Sequence, residues 1–349
     1  LAGLCLASPS EAAARVVAVH VLQRLHPTVL QLSGPQVHQL EASGETLEVD
    51  GRPVVQPWEA PVAEWRLSLP GEAPRRYTGA LSVRAVDGEL ALVLGLPLES
   101  YLALVVASET VPGTPPEALR AQAVVARSFL LAQGPRHPDA DVCDLAHCQV
   151  LRGSGVPAAH RAAARAAALS TEGRVLLLSS GAVAETPFHA ACGGHTGNPE
   201  EVFGSAGTGA EAVADSGCPA EAWEASLPLP RFQAALGPLL SKPAHPGLPQ
   251  PQTLRLLTGQ GGYVVRVVGP EGESARGDAV ARALDREVGW GAVRSGRFSF
   301  RLEGDSVRVR GAGLGHGLGL CQAGAAARAQ RGEGYEAILR HYFPLATLR

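Results

Sequence analysis

Two Asp-Gly pairs, Asp50-Gly51 and Asp87-Gly88, constrain this chain most, because each separates two apolar runs. Asp and Gly accept the positive φ angles of a two-residue hairpin turn, so each pair predicts antiparallel strands on either side. The neighbouring runs fit. Arg15-Val-Val-Ala-Val-His-Val-Leu22 is β-branched and bounded by turn residues, and Glu89-Leu-Ala-Leu-Val-Leu94 reads as a buried strand. Residues 15–95 are therefore expected to form a β-rich N-terminal region, without a catalytic cluster. The chain has 349 residues and 46% hydrophobic content, enough for one large domain or two modest ones.

The pattern changes at Pro97. Leu98, Tyr101, Leu102, Val105 and Val106 recur at helical spacing, so a helix is expected up to Glu109. Val111-Pro112-Gly113 breaks it. Thr114-Pro-Pro-Glu117 reads as a capping box with Pro in the first turn, opening a helix to about Gln133. Further helices are expected over 158–169, 230–240, 276–287, from about Leu320, and over 335–342. A hairpin is expected from Arg174–Ser179 and Ala182–Ala190, and two strands over 297–310. Residues 96–349 thus read as one mixed helix and strand domain, and the fold class is α+β.

Four features could carry chemistry. Glu109 ends an apolar helix, on the side of the macrodipole that disfavours its charge. Partial burial would push the same way and suit a general acid near neutral pH. Glu99 is a rival, but its place in the first turn reads as a helix-start residue. His137, Cys143, His147 and Cys148 offer two imidazoles and two thiols within one short loop, a donor set suited to tetrahedral zinc. The other reading is a Cys143–Cys148 disulfide with two surface histidines; the nearby histidines favour zinc. With all four positions filled by protein, that zinc would be structural. The run Gly311-Ala-Gly-Leu-Gly-His-Gly-Leu-Gly319 contains no G-x-G-x-x-G and no phosphate-loop Lys. Its expected use is close backbone approach, with His316 held at that point. Phe188-His-Ala-Ala-Cys-Gly-Gly-His-Thr196 could present backbone N–H groups to a sugar or acyl oxygen.

Acidic residues number 33 and basic residues 30, so no basic excess argues for a nucleic-acid partner. No run of about 18 apolar residues is present, so no transmembrane segment is expected. Leu1 to Ala7 is apolar and Ser8 to Ala14 is rich in small residues, so residues 1–14 read as the remnant of an export signal. An exported protein of the cell envelope is the expectation.

In order and spacing the motifs resemble one family, sporulation stage II protein D (SpoIID), also called the amidase-enhancer or LytB family. The match runs through Leu96-Pro-Leu-Glu-Ser-Tyr-Leu, Val105-Val-Ala-Ser-Glu109 and Pro116-Glu-Ala-Leu-Arg-Ala-Gln-Ala-Val-Val-Ala-Arg-Ser-Phe129. It continues in Phe188-His with Cys192-Gly-Gly-His-Thr196, in Gly315-His-Gly-Leu-Gly-Leu-Cys-Gln-Ala-Gly-Ala325, and in Glu336-Ala-Ile-Leu-Arg-His-Tyr-Phe-Pro344. The resemblance implies a SpoIID-like domain over 96–349 with a substrate groove for peptidoglycan glycan strands freed of stem peptides. It implies lytic transglycosylation with a 1,6-anhydro product, Glu109 as the catalytic group, and zinc on His137, Cys143, His147 and Cys148. Arg127, Gly193, Gly194, Thr196, His316 and Gln322 are expected to bind substrate, Arg127 by anchoring a lactyl carboxylate. The alternative it carries is a non-catalytic enhancer of a separate cell-wall amidase. Against the family pattern, Cys192 and Cys321 replace two motif residues, which invites a Cys192–Cys321 disulfide with Cys218 as a rival partner. Glu109-Thr-Val-Pro112 has one residue more before its Pro than the family's Glu-Met-Pro.

Overall fold

The structure is a computed structural model, and it describes residues 15–204, 207–240 and 249–349. The expected export remnant, 1–14, lies outside the described residues. The fold is α+β, in two compact units that meet in sequence at Arg174 and Val175.

The first unit is built on a nine-stranded sheet. Its strands are β1 (Val16–Val21), β2 (Val29–Ser33), β3 (Val37–Ser43), β4 (Thr46–Val49), β5 (Arg52–Pro53), β6 (Trp58–Ser68), β7 (Arg75–Val86), β8 (Glu89–Pro97) and β9 (Val142–Cys143). They lie in the order β5-β4-β3-β2-β6-β7-β8-β1-β9. Both Asp-Gly turns form as expected. Asp50 and Gly51 have φ of 53° and 72°, Asp87 and Gly88 of 51° and 80°, and they close the pairs Val49–Arg52 and Val86–Glu89. Along β8, Leu90, Leu92, Leu94 and Leu96 all point into the core, as period-two alternation requires.

Helix α1 (Leu98–Glu109) follows β8 without a break, and α2 (Pro116–Ala132) and α3 (Ala158–Ser170) complete the unit. The α1 stripe expected from the sequence is the buried one, and Leu98, Tyr101, Leu102, Val105 and Val106 join the core of the sheet. Helix α2 is buried on most sides, which its run of Ala and Val permits. The compact units therefore divide elsewhere than at the boundary expected between 95 and 96. Residues 96–174 share one hydrophobic core with the strands before them. The capping box at α2 does not form. Pro115 is the N-cap, and the Thr114 hydroxyl donates instead to the Val111 carbonyl, 2.7 Å away.

The second unit holds two three-stranded sheets. One is β12 (Ala222–Pro228), β17 (Ser306–Ala312) and β16 (Phe298–Glu303); the other is β13 (Arg255–Thr258), β14 (Val264–Val268) and β15 (Ser274–Arg276). After the short helix α4 (Pro199–Phe203), helices α5 (Leu229–Leu240) and α6 (Gly277–Val288) share a core with these sheets around Phe232, Leu236, Val280, Leu284 and Val309. The hairpin expected over 174–190 forms from Leu176 to Ala184, where the Leu178 amide donates to the Ala182 carbonyl, Leu177 bridges Val183, and the Ala184 amide donates to the Leu176 carbonyl. Each arm also takes a partner distant in sequence. β10 (Leu176–Leu178) pairs with β19 (Ala346–Leu348), and β11 (Phe188–His189) pairs in parallel with β18 (Leu320–Cys321). Periodicity within one segment carries no information about partners so distant in sequence. The run 311–319 does permit close approach. Its glycines 313, 315, 317 and 319 all have positive φ, and a Cβ on Gly317 would stand 2.0 Å from the Tyr263 ring.

Candidate functional site

Glu109 is the last residue of α1 and is half-buried. The returning segment 149–152 fastens that helix end. Val150 N–H donates to Glu109 Oε1 at 2.6 Å, and Arg152 N–H donates to Ser108 Oγ at 2.8 Å. Gln149 is buried beside them; its Oε1 accepts from the Tyr101 hydroxyl at 2.7 Å and its Nε2 donates to the Ala126 carbonyl. Burial raises the Glu109 pKa above the ordinary carboxylate value, and the Val150 N–H and the Arg152 charge oppose it only in part. The last turn of α1 holds no basic residue to offset the helix dipole.

Arg152 also lines a cleft of about 710 Å³ in the first unit. Glu109 is not among the cleft's lining residues; Arg152 is the group common to both. The outer face of α3 forms one wall, presenting Ala158, Arg161, Ala162, Arg165 and Leu169 at helical spacing. Of the arginines there, Arg76 is paired with Glu64. Arg152, Arg161 and Arg165 meet no carboxylate at ion-pair distance among the described residues, so the cleft has cations available for an anionic ligand. Sequence reading missed these three. The only trace was an Ala-rich helix with arginines at i and i+4.

Arg127 lies inside the first unit. It is fully buried, and its guanidinium forks onto Glu99, with Nε to Oε1 at 3.0 Å and Nη2 to Oε2 at 2.6 Å. The remaining donors reach the carbonyls of Arg174 and Ala168, both at 3.1 Å. Every nitrogen of the head group is thus engaged in tying α1, α2 and the end of α3 together. Glu99 is its ion-pair partner rather than a free helix-start charge.

His137, Cys143, His147 and Cys148 come together as expected, with one ligand atom from each within 4.8 Å of the others. His137 Nε2 is 3.5 Å from Cys148 Sγ, and His147 Nε2 is 3.2 Å from Cys143 Sγ. Both cysteines are free thiols rather than a disulfide. Two thiols and two imidazoles at this separation fit a single tetrahedral ion, with no position left for substrate. Burial pushes the Cys143 thiol up to about 12, so an ion bound there must displace its proton. Cys143 also belongs to β9, paired with β1, and Cys148 immediately precedes Gln149. The loop thus links the sheet to the segment that holds Glu109.

The remaining expected residues lie in the second unit. Gly193 and Gly194 have φ of 70° and 104°, which glycine alone adopts without strain. Arg297 donates to the Gly193 carbonyl at 2.9 Å. Thr196 is fully buried and locked to the irregular segment 211–213, its hydroxyl accepting from Val213 N–H at 2.8 Å. These contacts fix the shape of the turn. His316 Nδ1 accepts from Leu318 N–H at 3.0 Å, and burial holds the imidazole down to about 4, hence neutral. It lines a cavity of about 180 Å³ with Phe203, Asp285 and Ser295. Gln322 opens helix α7 (Gln322–Gln330) and is half-buried.

The fold and site define an α+β protein in which a half-buried glutamate at a helix end is fastened beside a cationic cleft by a Cys/His loop. Comparison with known proteins agrees with the family read from the motifs. The SpoIID family, described as Stage II sporulation protein, matches residues 86–178, the stretch that carries Glu109 and the Cys/His loop. The Stage II sporulation protein D of Bacillus amyloliquefaciens is 28% identical over 270 residues, covering 72% of this chain and 74% of that protein. That of Bacillus subtilis strain 168 is 26% identical over 340 residues, covering 91% of this chain and 90% of that protein. The amidase enhancer of Bacillus subtilis strain 168 is 36% identical over 61 residues, 18% of this chain and 9% of that protein.

Proposed function

We propose that this chain works outside the cytoplasm on peptidoglycan glycan strands, as a lytic transglycosylase with Glu109 as its proton-transfer group. The observation that carries this reading is the state of Glu109. Its carboxyl is half-buried, held by one N–H, and shifted toward its protonated form. Protonated Glu109 would donate to the glycosidic oxygen as the bond to the muramic acid breaks. The carboxylate so formed would take the proton from that sugar's C6 hydroxyl, and ring closure gives the 1,6-anhydro product. One carboxyl acting twice replaces the pair that hydrolytic glycosidases use. Arg152, Arg161 and Arg165 would meet the lactyl carboxylates exposed on strands without stem peptides. A zinc ion on His137, Cys143, His147 and Cys148 would supply structure alone, fixing the loop that leads to Val150.

The second reading is a binding module that stimulates a separate cell-wall amidase and cleaves nothing. It is favoured by the position of Glu109 outside the residues that line the cleft, and by the likeness to an amidase enhancer. Incubating the protein with stripped glycan strands separates the two. Mass spectrometry is expected to find new 1,6-anhydro ends. Intact strands that retain the protein, together with activation of an added amidase, would establish the second reading instead.

A further inference from the structure

Cys192, Asp215, Cys218 and Cys321 converge at one point inside the second unit, and the function above uses none of them. One ligand atom from each lies within 4.8 Å of the others, and all four residues are buried. Cys321 Sγ is 3.5 Å from Cys218 Sγ, and Cys192 Sγ is 3.5 Å from Asp215 Oδ2. All three cysteines are free thiols, so the disulfide invited at Cys192–Cys321 is replaced by a three-sulfur cluster. We propose that these four residues form a second metal site, a tetrahedral three-thiolate, one-carboxylate site for a single zinc ion.

Three observations support an ion. First, the spacing fits. Zn–S bonds of about 2.3 Å at tetrahedral angles put neighbouring ligand atoms about 3.8 Å apart. An iron–sulfur cluster would hold its cysteine sulfurs further apart than this, because several irons stand between them. Second, the carboxylate is incomplete. Asp215 is fully buried; its Oδ2 accepts from the Tyr342 hydroxyl at 2.6 Å, yet its Oδ1 has no hydrogen-bond partner. A buried carboxylate with an unpartnered oxygen is costly, and a cation held by this carboxylate would offset that cost. Gly324 makes this packing possible, since a Cβ there would stand 1.8 Å from Oδ2. Third, backbone donors already point at sulfur. The amides of Cys192 and Gly324 both donate to Cys321 Sγ at 3.3 Å, the outer support that a thiolate ligand needs.

The site would join three segments far apart in sequence. Cys192 precedes the Gly193-Gly194 turn, Asp215 and Cys218 close a turn through the Cys218 amide and Asp215 carbonyl, and Cys321 is the N-cap of α7. Binding would displace the thiol protons and convert ion affinity into stability of the second unit.

The test uses the full chain carrying Cys143→Ser and Cys148→Ser, which disable the first loop, purified under reducing conditions without chelator. Elemental analysis is expected to find one zinc per chain. Replacing zinc by cobalt(II) is expected to give thiolate-to-metal charge-transfer absorption with tetrahedral ligand-field bands. Adding Cys218→Ser is expected to weaken that absorption, and Asp215→Asn to lower zinc affinity at least tenfold. Should those variants fail to fold, the zinc count and cobalt spectrum of the parent still decide. A parent that retains no zinc and gives no cobalt–thiolate spectrum overturns the proposal, whether its three thiols are free or two form a disulfide.

Discussion

Replacing Arg127 separates a structural arginine from a substrate anchor. Its side chain is 1% exposed and that of Glu99 13%, so Arg127→Met would strand a carboxylate away from water. Breaking a buried pair from one side costs about 3–5 kcal/mol. The carbonyls of Ala168 and Arg174 would each lose a donor as well, worth about 1–3 kcal/mol where water cannot replace it. A loss of at least about 3 kcal/mol is expected, and with m near 1–3 kcal/mol/M the urea midpoint of the first unit falls by about 1–3 M. Arg127→Lys is expected to fall between, because one ammonium cannot span both Glu99 oxygens and both carbonyls. Glu99→Gln combined with Arg127→Met should recover much of the loss, since no uncompensated charge remains. Urea unfolding followed by hydrogen exchange of peptides over 98–132 reads this unit separately from the second. An Arg127→Met protein with an unchanged midpoint and lost glycan binding would refute the reasoning and restore Arg127 as a substrate contact.

Other consequences can be checked together. The folded pKa of Glu109 is raised, so its favourable contribution is complete below the unfolded carboxylate pKa and is lost as pH rises through the folded value. Glu109→Gln should therefore match wild type in thermal stability near pH 4 and gain on it toward pH 8; a constant difference across that range would contradict the shift. Chelation, or Cys148→Ser, should speed exchange of the Val150 and Arg152 amides before any global unfolding, as measured by exchange mass spectrometry. Equal protection with and without chelator would uncouple the loop from Glu109. Arg161 and Arg165 are exposed, so Arg161→Glu with Arg165→Glu should alter stability by less than about 1 kcal/mol. The same pair should weaken co-sedimentation with stripped glycan at least tenfold at low salt, and unchanged co-sedimentation would remove the cleft from the binding surface.

Local signals were legible in the sequence and distant pairings were not. The two Asp-Gly turns, the α1 stripe and the Pro-started α2 follow from a few adjacent residues, and each formed within a residue or two of its expected bounds. The Cys/His cluster was legible for the same reason, since its four residues fall in one short segment. The ion pair of Arg127 was not legible because its partner Glu99 sits 28 residues earlier, and nothing local says which carboxylate a guanidinium will find. The second cluster shows the same limit. Cys192 and Cys321 are 129 residues apart, and Asp215 carried no sequence signal at all. The capping box failed although its residues were right, because Pro115 took the cap position.

The central claim is that Glu109 moves the proton, and one digest tests it. Stripped glycan strands are incubated with wild type, Glu109→Gln and Glu109→Ala, each shown folded by its thermal transition, and the products are read by mass spectrometry. The account predicts 1,6-anhydro ends from wild type and at least a hundredfold fewer from both variants, with strand binding retained. Undiminished anhydro ends from both variants would contradict it.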